Sequence, residues 1–182
     1  MAKGKEKLPE IRVNRAPVLT LWAAVVAEQL GYAWPDSLTL GKAVAGLNAQ
    51  AKGRALGIYA GSPQKPAKAY KRVAGKPESA RVELLHRSIP VRRTSTGVRA
   101  LLKEQSIAPD AVEKYLRAKF KDEYDVARRE FQGLARSRTK KALAEEAYAL
   151  YESFRPSIPA GKKGWGAAGV LDLERVRALG KE

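Results

Sequence analysis

Between Pro17 and Leu30 the apolar residues are too dense and too regularly spaced for anything but a helix. Val18, Leu19, Leu21, Trp22, Val25, Val26 and Leu30 cover a broad face at helical spacing. Asn14 stands where a cap is needed, and Pro17 falls in the first turn, where its missing N–H leaves no bond unmade. Gly31 follows as a left-handed terminator. Glu28 stops the run at about half of the ~20 residues that a membrane span needs, so the pattern predicts a buried helix and no membrane span. Tyr32–Asp36 breaks the periodicity, with Trp34-Pro35 opposing continuation. A second helix is predicted from a cap at Asp36 or Ser37 to about Leu56. It holds Gly41, Gly46 and Gly53 among alanines at 43, 45, 49, 51 and 55. An interior glycine costs about 1 kcal/mol against alanine. The pattern therefore predicts a compensating close approach of this backbone, either to a first helix bearing Ala23, Ala24 and Ala27 or to a ligand.

Gly57–Pro77 shows no periodicity and holds three prolines and three glycines, the composition of a linker. In Arg81–Thr94, Val82/Leu84 and Ile89/Val91 sit at strand spacing about a His86–Ser88 turn, which predicts a β-hairpin with Pro90 confining its strand to an edge. A short helix over 79–86 competes with that assignment. Helical spacing then resumes. Pro109-Asp110 opens a helix holding Val112, Tyr115, Leu116 and Phe120, a second covers Asp122–Arg136, and a third runs from Thr139 to just before Pro156. An irregular loop over Pro156–Gly169 leads to a last short helix, Leu171–Leu179. Residues 1–15 have little to bury and predict a flexible basic arm. The expected fold is mainly α: a helix-turn-helix-like N-terminal helix pair, one small β-hairpin and a C-terminal helical bundle. Its divisions would be the arm at 1–15, a basic lobe at 16–103, and a supporting or dimerising helical lobe at 104–182.

Charge changes this picture most. The 182 residues carry a net +16, and residues 37–103 hold 14 Lys and Arg against only Glu78 and Glu83, a balance of +12. No acidic residue lies between Ser37 and Pro77. Cations concentrated in one connected stretch attract polyanions at ordinary salt. The hydrophobic fraction of 45% is that of a folded protein and excludes a disordered polycation. Cysteine is absent, which removes disulfides, thiolate metal sites and cysteine nucleophiles. The first residues are charged with no apolar stretch behind them, so no secretory signal is expected and the predicted location is the cytoplasm.

Catalytic chemistry finds little to work with. His86 is the one histidine and stands beside Arg87 with no carboxylate near it in sequence, so neither a three-ligand zinc site nor a general base is expected. Asp122, Glu123, Asp125 and the Glu145/Glu146 pair are interleaved with Lys and Arg, as solvated helix faces are. Gly164, Gly166 and Gly169 spell G-x-G-x-x-G, but Pro-Ser-Ile-Pro-Ala precedes them where a dinucleotide site needs a strand. Lys162 and Lys163 remain candidates for holding one phosphate through that loop, against a plain tight turn with Trp165 plugging the core. No cofactor and no metal are predicted, and the chain is not expected to be an enzyme.

Nucleic acid is the partner that the charge suits. In a helix-turn-helix arrangement the second helix would face a groove with Lys42, Asn48, Gln50, Lys52 and Arg54, the Asn and Gln suited to adenine edges, Arg to guanine and Lys to phosphate. The linker adds Lys65, Lys68, Lys71 and Arg72, kept extended by proline, and the hairpin adds Arg87, Arg92 and Arg93, as on the wing of a winged helix. Tyr59 and Tyr70 suit stacking on unpaired bases. The expected function is DNA binding through phosphates, with a homodimer as a candidate assembly. RNA or a ribosome, and an acidic protein or anionic membrane surface, are the alternatives.

Overall fold

The computed structural model describes residues 7–55, 79–95, 97–102, 105–157 and 168–181. Its elements run β1 (Glu10–Asn14), α1 (Arg15–Gln29), α2 (Trp34–Ala55), β2 (Ser79–Leu84), β3 (Arg87–Thr94), β4 (Gly97–Leu102) and β5 (Gln105–Ser106). Then come α3 (Pro109–Phe120), a 3-10 turn at Lys121–Glu123, α4 (Tyr124–Arg136), α5 (Lys140–Phe154), β6 (Ala168–Asp172) and α6 (Leu173–Leu179).

Every residue of α1 from Pro17 to Ala27 is buried. A helix that is apolar all round belongs inside a protein, so the broad face expected from sequence is a helix with no exposed face over those residues. Thr20 donates its hydroxyl to the Ala16 carbonyl at 2.8 Å and needs no outside partner. The helix ends on Gly31 at φ +117°, with the Gly31 and Tyr32 N–H groups donating to the Glu28 and Ala27 carbonyls, each at 3.1 Å.

The walls around α1 come from both ends of the chain: α2, α3, α4, α5 and β1 all touch it. On the C-terminal side the anchor is Trp22. Its indole N–H donates to the Ala147 carbonyl at 2.8 Å, and its ring meets Phe131 and Phe154 edge-on at 5.8 and 5.3 Å. The expected division between 16–103 and 104–182 therefore does not divide the core. On the other side α2 starts two residues before the expected cap, with Pro35 tolerated in its first turn. It crosses α1 at Gly41, where a Cβ would lie 2.9 Å from the Ala24 amide nitrogen and run into the Thr20 carbonyl. The close approach foreseen for this glycine is thus to α1.

The expectation of a mainly α chain with one hairpin is overturned. The described residues hold two antiparallel sheets, one of two strands in the order β1-β6 and one of four in the order β2-β3-β4-β5. In the small sheet Glu10 lies opposite Asp172 and Asn14 opposite Ala168, with Ile11 and Val13 turned inward. Residues 10–14 are thus a paired strand and not part of a flexible arm. The irregular loop expected over Pro156–Gly169 likewise ends inside β6. The hairpin exists, but as the first half of a four-stranded meander, and its turn is Leu85-His86 at φ +48° and +61°, not the expected His86–Ser88. Arg81 faces Pro90 in a pair that, counted from this turn, needs no N–H from Pro90. β4 begins pairing only at Val91, so the proline leaves no donor missing on either side.

The meander is fastened to the start of α2. Thr39 accepts the Ala100 N–H at 3.1 Å and donates to the Asp36 carbonyl at 2.7 Å, while the Asp36 carboxylate pairs with Arg99. Gly97, at φ +145°, passes so close to Asp36 that any side chain there would strike the carboxylate.

Two glycines of one helix should then respond oppositely to the same change. Gly41→Ala, despite the better helix propensity of alanine, is expected to destabilise the protein by about 1–3 kcal/mol through overpacking. Gly46, with open space where its Cβ would stand, should gain about 0.5–1 kcal/mol on the change to alanine. Denaturant unfolding of the two variants measures both.

Candidate nucleic-acid interface

Strand alternation places the sheet's cations. In β3, Ile89 and Val91 are buried, but Arg92, Arg93 and Thr94 are all exposed. Arg93 shares a face with Ile89 and Val91 by parity, so its exposure means that this end of the β3–β4 ribbon overhangs the core. Arg92 stands directly opposite Arg99 and Arg93 opposite Val98. Two arginines across a rung repel. Here the buried Asp36 neutralises Arg99, and Arg92 and Arg93 keep their charge facing water. Among the described residues neither forms an ion pair.

Three of the C-terminal carboxylates are engaged elsewhere. Glu113 holds Arg117 at 3.3 Å, Glu130 holds Arg177 at 2.7 Å and Glu146 holds Arg138 at 3.3 Å. Glu28, at the end of α1, reaches Arg128 at 3.8 Å.

The other candidates divide. Asn48 is buried, and its side-chain carbonyl accepts from the Arg87 guanidinium at 3.0 Å and the Tyr148 hydroxyl at 3.4 Å. Both Asn48 and Arg87 are thereby tied to the seam between α2, the sheet and α5. Lys42 is half-buried with its ammonium 3.9 Å from the Tyr115 ring centroid. The stretch Asp36–Ala45 is otherwise wholly buried, so this part of α2 is a core helix and offers no surface to a groove. The side chains of Gln50, Lys52 and Arg54, together with Lys65, Lys68, Lys71, Arg72, Lys162 and Lys163, lie outside the described residues. The same holds for Tyr59 and Tyr70. His86 is exposed, its ring 6.4 Å edge-on from Tyr148. Among the described residues no group of His, Asp and Glu could hold a metal ion.

Arg99 is the site residue that sequence reasoning missed. The apolar–polar–apolar order of Val98, Arg99 and Ala100 after Gly97 was the available signal for a third strand. Comparison with family models, with curated proteins and with solved structures finds no match to this chain. Its function has to be argued from its own surface.

If Asn48 is a packing residue, Asn48→Ala strands the Arg87 and Tyr148 donors and should lower stability by about 1–3 kcal/mol. The folded variant should keep its affinity for duplex DNA in a fluorescence-anisotropy titration. Unchanged stability with lost affinity would return Asn48 to the ligand.

Proposed function

We propose that this protein binds nucleic acid, duplex DNA in preference, through backbone phosphates. The observation that carries this reading is the exposure of Arg92 and Arg93 on an overhanging ribbon, outside any described ion pair. That ribbon belongs to the same stretch of chain as the acid-free run from Ser37 to Pro77. A two-stranded ribbon suits the major groove of B-DNA, about 12 Å wide. The deep, narrow major groove of A-form RNA excludes one. The cations supply affinity, and no base-reading residue is assigned. Groove reading by the first half of α2 is not retained, because Asp36–Ala45 is buried apart from the half-buried Lys42, and Asn48 beyond it is buried too. Among the described residues no helix is long and apolar enough to cross a membrane. A chain without cysteine fits the reducing interior where we place this binding, the cytoplasm.

Eight engaged phosphates would give a log–log salt slope near −7 on duplex DNA. Replacing both Arg92 and Arg93 by alanine should bring that slope to about −5, each lost contact removing about 0.9. Stability should change by no more than about 0.5 kcal/mol, since both side chains are exposed. Anisotropy titrations at several salt concentrations, with duplex DNA, single-stranded DNA and RNA, provide the measurement. A slope indistinguishable from zero rules the reading out, and tighter binding of RNA than of duplex DNA selects the RNA alternative.

A further inference from the structure

A cavity of about 300 Å³ opens where α2, β5 and α3 meet, lined by Lys42, Gln105, Ser106, Ile107, Ala111, Val112 and Tyr115. It owes nothing to Arg92 or Arg93. Ligand sites start at about this volume. With about 30 Å³ as one water's share of the liquid, it holds on the order of ten non-hydrogen atoms.

The cation in its wall is unusual in three respects. Lys42 is the single residue of Asp36–Ala45 that is not buried, so the fold brings one ammonium to the cavity from a helix otherwise sealed in the core. No ion pair holds it among the described residues, and its closest described partner is the Tyr115 ring at 3.9 Å. The same ring has Lys119 at 6.0 Å on α3, so two like charges share one aromatic ring. The acidic groups of α3 leave this arrangement uncompensated. Glu113 is held by Arg117 at 3.3 Å, and Asp110 is exposed in the first turn. Burial first, and the charge of Lys119 second, push the Lys42 pKa below the ordinary lysine value. Ile107, Ala111 and Val112 make part of the lining apolar.

We propose that this cavity binds a small organic anion, with its carboxylate or phosphate group on Lys42 and its apolar body against Ile107, Ala111 and Val112. An anion there gives the half-buried ammonium the opposite charge that no described residue provides, where solvent screening is weaker than on an exposed face. The apolar wall selects against inorganic ions, which have no surface to place on it. Lys119 lies farther out and contributes to the field more than to contact.

Isothermal titration of the whole chain with benzoate and phenyl phosphate, and with benzyl alcohol as the neutral control, tests this. Saturable binding of one anion per chain is expected, with the alcohol weaker by about tenfold or more. Lys42→Met should weaken benzoate by a similar factor, and Ala111→Trp, at an exposed position, should block the cavity with both lysines intact. Arg92→Ala with Arg93→Ala should leave benzoate binding unchanged, which separates this site from the nucleic-acid interface. Thermal melts confirm that each variant is folded. Absence of saturable binding, equal affinity for benzyl alcohol, or full benzoate affinity in folded Lys42→Met or Ala111→Trp overturns the proposal.

Discussion

A helix without a solvent face has to be enclosed on every side, and the burial of α1 over Pro17–Ala27 makes that requirement. No single neighbour can meet it. α2 seals one side at the Gly41 crossing, α4 and α5 seal another through Phe131 and Phe154 around Trp22, and β1 closes the N-terminal end. The two halves of the chain are therefore bound into one core around a shared axis. Gly41 matters beyond its own contact, because α2 also carries Asp36 and Thr39, which hold β4. The ribbon bearing Arg92 and Arg93 is thus positioned by a chain of close contacts: α1 sets α2, α2 sets β4, and β4 sets the exposed end of β3.

The distribution of charge follows from the same arrangement. Glu113, Glu130 and Glu146 in the C-terminal helices find arginines close at hand, and short-range pairs of that kind leave little field to act elsewhere. Asp36 is the described carboxylate that reaches the meander, and it meets Arg99, the arginine whose position on a rung opposite Arg92 would otherwise be repulsive. One neutralised arginine in that rung lets the other stand free. Among the described residues of 37–103, Arg92 and Arg93 consequently keep their charge at the surface.

Where structure was legible in the sequence, a local signal carried it. The helical spacing from Pro17, the helix start at Thr139, whose hydroxyl accepts from the Ala142 N–H at 3.2 Å, and the glycine at 31 all act within a few residues of themselves. What escaped was pairing over distance. β1 finds its partner β6 at the other end of the chain, and the alternation of Ile11, Arg12 and Val13 is too short to announce a strand alone. The Leu85-His86 turn was displaced because two non-glycine residues occupy positive φ, where the usual signal would be Asn-Gly. For the candidate interface, charge singled out Arg92 and Arg93, and alternation turned only Arg92 outward; the exposure of Arg93 comes from the overhang of the ribbon. Asn48, Arg87 and Lys42 were not legible, because residue type alone does not tell a polar side chain facing DNA from one that closes a seam in the core or lines a cavity.

Lys42 and the arginine pair also show how one surplus of charge can serve two physical ends. Arg92 and Arg93 face bulk water, where a Debye length of about 8 Å at physiological salt confines their pull to what lies close against the ribbon, and where added salt competes directly. Lys42 is half-buried against Tyr115 beside an apolar wall, so ions in solution screen it less and a ligand must displace fewer of them. Salt that strips a polyanion from the ribbon would therefore weaken an organic anion in the cavity far less. Identical formal charges acquire different selectivity from burial alone: the exposed pair favours long, highly charged partners, and the enclosed lysine favours a small one whose uncharged part fits the wall.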